Sequence, residues 1–312
     1  MGNPRSGTTF LHRLLAKDED RFSTMKMWEI LFAPSVSQRR LVQALVSLED
    51  RLGRPVQRWL AAVEKRWHRK NVMHKVSLRM PEEDEYLLLH IWSALTAGLS
   101  AGVLQEAIPY TYFDHMLPPR QRRRILHFYK ACVQRHLYAH CEDNRRQYLA
   151  KNPALCPKVG TVREHFPQAR IIYLVRSPLE MVPSYTHMME FTWRIIGIAR
   201  DGSELHDYLL DMAEYWYTHP LEELEGQPPD RYCVVRYDDL VANPEKTITE
   251  IYQTFGLQMS PHFAQVLREE AEKARSFKPR HKYSAEQLGL DRQQIVERCA
   301  PIFERFGFDR EE

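Results

Sequence analysis

The sequence predicts an α/β fold in three layers, with a mostly parallel central sheet between helices. Three observations predict it. Strand-like and helix-like stretches alternate from residue 147 onward. The run Ala169 to Val175 is almost continuously apolar, as in a strand buried on both faces. A glycine-bracketed turn at the start opens directly onto a helix, where backbone N–H groups and the helix dipole favour an anion. At 312 residues the chain can bury a full core, and one domain over 1–312 is expected.

Bulk properties narrow the function. Lys and Arg number 44 against 41 Asp and Glu, a net charge of +3, which gives no electrostatic case for a nucleic-acid partner. Apolar residues at 44% and charged ones at 27% are ordinary for a soluble globular protein. The cysteines Cys132, Cys141, Cys156, Cys233 and Cys299 are odd in number and form no C-x-x-C. That argues against a disulfide framework or a zinc site and for a reducing compartment, so a cytoplasmic location is expected of the chain as written. No convincing metal-ligand cluster stands out, and no metal is expected.

The elements follow in order. Only three residues precede the turn, too few for the buried strand from which such a loop normally hangs. The sequence therefore suggests upstream truncation, a misassigned start, or another segment filling that slot. Residues 10–17 read as a helix, and 21–30 as an extended segment leading to a loop at Pro34. Residues 37–69 form a long helical stretch interrupted near Gly53-Arg54-Pro55. Its end is the basic run Lys65-Arg66-Trp67-His68-Arg69-Lys70, which reads as a solvated face or as a surface meeting an acidic substrate or a membrane. Pro81 followed by acids marks a helix start. Tyr86 to Leu104 is apolar, but His90, Ser93, Thr96 and Ser100 dilute it, so it reads as a buried helix rather than a membrane span. Pro118-Pro119 opens a basic amphipathic helix over about 119–140.

Beyond these lie a strand at 147–151, a helix at 159–165, the strand at 169–175, a helix at 179–190 and a strand at 231–236. Helices at 245–256 and 261–274, a polar loop at 275–284 and a last helix at 291–306 complete the chain. The region from about 35 to 145 is a helix-rich insertion expected to shape a binding pocket.

Two stretches carry chemistry. Gly2 and Gly7 have the G-x-x-x-x-G spacing of a phosphate loop, but Thr8 and Thr9 stand where a nucleotide triphosphatase has Lys and then Ser or Thr. The cation comes earlier, at Arg5. Gly7 allows close backbone approach, Ser6, Thr8 and Thr9 offer hydroxyls, and Arg5 a permanent planar charge. The same turn is also compatible with an ordinary helix cap. Arg176 stands at the carboxyl end of the strongest strand, where open α/β sheets bind ligands. Ser184 follows two turns into the next helix. Either both converge on a second phosphate, or Arg176 pairs with a nearby acid and Ser184 packs within the helix.

Pro4-Arg5-Ser6-Gly7-Thr8-Thr9-Phe10 closely resembles the 5′-phosphosulfate loop of sulfotransferases that use 3′-phosphoadenosine 5′-phosphosulfate (PAPS). Some branches have Lys in place of Arg5. Tyr173-Leu-Val-Arg176-Ser-Pro-Leu-Glu-Met-Val-Pro-Ser184 resembles the 3′-phosphate motif of the same family. Lys151-Asn152-Pro153 is similar to its short Lys-x-Pro or Lys-x-His stretch. Arg236-Tyr237-Asp238-Asp239-Leu240 is similar to a Tyr-Glu-Asp-Leu stretch whose Tyr contacts the adenine. Pro81-Glu82-Glu83-Asp84, and Tyr283-Ser284 with Gly289-Leu290, look like features of a branch with many bacterial members. The likeness runs from residue 2 through nearly the whole chain, specific at the two phosphate motifs and looser over 35–145.

The resemblance implies a P-loop-like fold and transfer of a sulfuryl group from PAPS to a hydroxyl or amine. The acceptor would be a small molecule, lipid or glycan. It implies that Arg5, Ser6, Gly7, Thr8 and Thr9 hold the 5′-phosphate, that Arg176 and Ser184 hold the 3′-phosphate, and that Tyr237 meets the base. Arg5 and Lys151 would stabilise the leaving oxygen. Cytosolic members use the His of Lys-x-His as base, but Pro153 stands there. Other branches use a Glu shortly after the first helix, which here is Glu29. Glu82, Glu83 and His12 are further candidates. A nucleotide kinase with a degenerate loop and a non-catalytic binding protein are the rival readings.

Overall fold

The computed structural model describes residues 1–32, 34–70, 77–140, 145–198, 202–275 and 284–310, without the side chains of 64–70 and 274–275. The side chains of the run Lys65 to Lys70, Cys141, Tyr283 and nearly all of the polar loop expected at 275–284 lie outside the described residues.

Among the described residues four strands pair in two small parallel sheets. β1 (Phe22–Ser23) pairs with β2 (Gln147–Tyr148), and β3 (Ile171–Val175) pairs with β4 (Tyr232–Arg236). The register of the second pair runs from Ile171 opposite Tyr232 to Val175 opposite Arg236. Arg176 and Tyr237 therefore leave the same sheet edge together. On the other side of β3, Gly2 forms a parallel bridge with Leu174. The Leu174 amide donates to the Met1 carbonyl at 2.9 Å. The strand slot before the loop is thus occupied, over the little length it has, by Met1 and Gly2. Gly2 is required there, because a Cβ would lie 2.5 Å from the Leu174 carbonyl oxygen.

The layering follows from burial of β3 on both faces. Ile171, Tyr173 and Val175 join one apolar cluster with the helices Pro178–Ile195, Gly202–Leu224 and the C-terminal helices. Leu174 points the other way, into a cluster with Leu11, Leu14, Ile248, Ile251 and Phe263. The fold is the expected helix-rich α/β, P-loop-like arrangement. A separate cluster built on Phe113, Leu126, Tyr129, Cys132 and Leu87 serves the helical insertion.

Several elements depart from expectation. The segment 21–30 is extended only at Phe22–Ser23, and Met27–Phe32 is helical. The Glu29 side chain accepts from the Lys26 amide at 2.8 Å and starts that helix. The apolar stretch after Pro81 is not one helix. A 3-10 turn over Asp84–Ile91 ends at Trp92, which has φ 53°, and a short helix Leu95–Ser100 follows. The last helix is two, Arg292–Arg298 and Ala300–Phe306. The long helix Gly202–Leu224 was not anticipated, and it backs the loop through a hydrogen bond from Asn3 Nδ2 to the Ala213 carbonyl, 3.4 Å.

Candidate active site

The turn after Met1 and Gly2 is tight. The Ser6 amide donates to the Asn3 carbonyl at 3.2 Å, and Arg5 adopts φ 66°. Gly7 then serves as N-cap of the helix Thr8–Leu15 at φ 87°, with no side-chain cap. Leu11, Leu14 and Leu15 anchor that helix in the core. Its first-turn amides therefore point out of the helix without a side-chain acceptor, which suits an anion. Gly7 is needed for a second reason: a Cβ would lie 2.7 Å from the Tyr237 ring. Ser6 is buried, and its Oγ has no hydrogen-bond partner. An orphaned buried hydroxyl and an uncapped helix start fit a phosphate at this turn.

The second motif comes to the first. Arg5 Nε donates to Ser184 Oγ at 3.1 Å. Arg176 donates from its terminal nitrogen to the Arg5 carbonyl at 2.9 Å. The Arg176 guanidinium lies 4.4 Å from the centre of the Tyr237 ring, within cation–π range. Tyr217 steadies the strand end by donating to the Arg176 carbonyl at 2.7 Å. Arg176 also pairs with a nearby acid, as one of its two sequence readings expects: its Nε donates to Glu180 at 2.9 Å. That acid, one turn along the helix, was the legible signal; Tyr217 carried none.

Lys151 is buried and donates to Glu82 and Glu83, each at 2.9 Å. The Glu83 side chain keeps 21% of its surface exposed, against 2% for Glu82. His12, on the loop's own helix, adjoins this group. Burial first, and then the Lys151 charge, lower its pKa to about 3, so the imidazole is neutral.

Glu29, the base expected from the sequence, is enclosed among cationic and imidazole groups. It is 1% exposed and lies 3.1 Å from Arg39, 2.6 Å from His140 Nε2 and 3.4 Å from His136 Nδ1. Burial alone would raise its pKa, but hydrogen bonds from His136 and His140 outweigh it and hold the carboxyl well below the usual range. An enclosed, strongly ionised carboxylate is a poor proton acceptor. The group Glu29, His136 and His140 also has the donor set of a metal site, its ligand atoms lying within 4.8 Å of one another. The sequence reading missed it, although His136 and His140 stand one helical turn apart. A guanidinium already fills the cation position, however: Arg39 donates to Glu29 at 3.1 Å, and the same nitrogen lies 2.7 Å from His136 Nδ1.

A cleft of about 500 Å³ lies elsewhere, lined by Asp114, Arg122, Gly160, Arg163, His219 and others. Its lining includes none of the residues the sequence singled out.

Residues 1–261 match the sequence model of the sulfotransferase family. The chain belongs to the sulfotransferase family. It is 28% identical, over 99% of its length and 74% of the relative's, to omega-hydroxy-beta-dihydromenaquinone-9 sulfotransferase Stf3 of Mycobacterium bovis. The Stf3 of Mycobacterium tuberculosis matches equally. Among solved structures, sulfotransferase STF9 of Mycobacterium avium superposes with a TM-score of 0.76 at 16% identity, over 99% of this chain and 76% of that one. STF1 of Mycobacterium tuberculosis does so at 0.63 and 19%, over 96% and 75%. The activity is accordingly sulfuryl transfer, and the kinase and non-catalytic readings fall away.

Proposed function

We propose that this sulfotransferase takes its sulfuryl group from PAPS and delivers it to the hydroxyl of a lipid acceptor, as a single domain whose helical insertion shapes the acceptor side. The observation that carries the donor is the convergence of Arg5, Ser184, Arg176 and Tyr237, drawn from three distant stretches of chain. The amides after Gly7, with Ser6, Thr8 and Thr9, hold the 5′-phosphate. Arg176 and Ser184 hold the 3′-phosphate, and a planar guanidinium fork suits its oxygens. This contact separates PAPS from ATP. Tyr237 presents its ring to the adenine.

Transfer requires in-line placement, charge stabilisation at the leaving phosphate oxygen, and removal of the acceptor proton. Arg5 and Lys151 supply the charge. Glu83 takes the proton, because it is the partly exposed carboxylate on Lys151 while Glu82 and Glu29 are enclosed. A lipid acceptor agrees with the hydroxylated menaquinone derivative in the relative's name.

The test is transfer of labelled sulfate from PAPS to a terminally hydroxylated polyprenoid, with a short alcohol as control. The expected result is a sulfated lipid product and a kcat lowered about 100-fold or more in Glu83→Gln. A kcat within about twofold of wild type in that variant would remove Glu83 from the role. Transfer to the short alcohol alone would remove the lipid.

A further inference from the structure

Residues 36–70 form a helical hairpin that the transfer reaction does not use. Ser35 caps the first helix, Val36–Arg51, through a reciprocal pair of hydrogen bonds with Gln38. The turn at Gly53 and Arg54 takes both residues to positive φ, and the second helix, Pro55–Lys70, follows. Glu49 receives the Gln57 amide at 2.7 Å, which ties the second helix to the end of the first.

The hairpin is fastened to the body along one face. Arg39 enters the buried group with Glu29 and His136, and one turn on Gln43 meets His140 Nδ1 at 3.3 Å. The opposite face carries Leu41, Leu45, Leu48 and Leu52. Their spacing of four, three and four puts them on one stripe. All four are exposed, from 53% for Leu48 to 69% for Leu52. The second helix repeats the pattern with Val56, Trp59 and Val63, Trp59 being 63% exposed. Two exposed apolar stripes on consecutive helices are surfaces that water does not favour.

Charge says what covers them. Residues 36–70 hold nine Lys and Arg against three Asp and Glu; with Arg39 buried on Glu29, eight against three remain, an excess of five, whereas the whole chain carries only +3. By helical periodicity Arg40 and Arg51 fall about 90° round the first helix from the leucine stripe, the flanking position from which long basic side chains reach headgroups. Arg40 also rests on Tyr138, 5.4 Å from the ring centre, and Tyr138 is itself exposed. A second copy of this chain would bring one basic hairpin against another in a self-complementary contact, and like charge opposes that. An anionic lipid surface satisfies both the apolar stripes and the positive flank.

We infer that the hairpin 36–70 is an interfacial docking element that seats the protein on an anionic membrane surface. Its helices lie in the headgroup plane, with the stripes of Leu41 to Leu52 and Val56 to Val63 facing the acyl chains. No helix among the described residues is long and apolar enough to cross a membrane. The inference stands on the hairpin's own residues, whatever the acceptor proves to be.

The test is co-sedimentation of the full chain with vesicles of phosphatidylglycerol and phosphatidylcholine, against vesicles of phosphatidylcholine alone. The wild type is expected to partition at least about tenfold more strongly onto the anionic vesicles, and less so as salt rises. The triple variant Leu45→Ser, Leu48→Ser, Trp59→Ser is expected to lose about tenfold or more. Arg40→Gln with Arg51→Gln should lose several-fold. Because these side chains are exposed, each variant should keep the wild-type circular dichroism and nucleotide affinity. Wild-type protein left in the supernatant would overturn the inference, as would a triple variant that sediments like wild type. A wild-type dimer abolished by the triple substitution, without vesicle binding, would assign the face to a second copy instead. The assay needs neither donor nor acceptor, so its failure and that of the transfer reading are separable.

Discussion

The donor end and the helical half both gather arginines, but they place them differently. At the donor end Arg5 and Arg176 meet Ser184 Oγ and a backbone carbonyl at the rim of the sheet. The Glu180 partner of Arg176 is 45% exposed, so that pair is weak and leaves the guanidinium able to engage a ligand. In the helical half Arg39 and Glu29 face each other at 3.1 Å, with both side chains almost wholly out of water. There the charge is committed to structure, because removing one partner strands the other in the interior. A guanidinium held at a surface by a hydroxyl, a carbonyl or a half-exposed acid reads as a binding group. One closed in with a carboxylate reads as a fastening, here between the hairpin and the body.

The largest expected effect tests that fastening. Arg39→Met leaves Glu29 buried without its guanidinium and is expected to cost about 3–5 kcal/mol in urea unfolding. A loss below about 1 kcal/mol would mean that the pair does not hold the hairpin down.

A second buried acid separates the two uses of charge further. Asp84 accepts from Tyr129 at 2.6 Å and from Tyr148 at 2.8 Å. Burial raises its pKa to about 6 against these hydrogen bonds, from 3.8 when exposed. The folded state therefore binds this proton more tightly than the unfolded one. Asp84's contribution to stability is complete below the unfolded value and is lost as pH rises through about 6. Asp84→Asn removes that loss. The stability difference, variant minus wild type, is expected to grow between pH 4 and 6 by up to about 3 kcal/mol. Parallel pH profiles would contradict the shift.

Legibility in the sequence follows the same division. That the glycine turn, Arg176, Ser184 and Tyr237 come together could be expected because each sits at a fixed step from a strand end or a helix start, and those steps are local. The strand Ile171–Val175 and the helix Pro119–His140 were legible for a similar reason: one is continuously apolar, and the other is opened by Pro and strictly periodic. The fate of Glu29 was not legible. Its partners Arg39, His136 and His140 lie 10 to about 110 positions away and meet only through the packing of three helices. Nor was the break at Trp92, since nothing in an apolar run announces a left-handed residue. The helix Gly202–Leu224 went unread because aromatic and polar residues surround its apolar face and Pro220 lies inside it.

The most direct test of the central claim, that two motifs 170 residues apart form one donor site, is a calorimetric titration with 3′-phosphoadenosine 5′-phosphate, with ATP as control and no added metal. Saturable binding is expected for the former, with ATP at least about tenfold weaker and Arg176→Ala weaker by about 10- to 100-fold. A folded protein that binds neither nucleotide, or an Arg176→Ala variant that binds as tightly as wild type, would contradict the account.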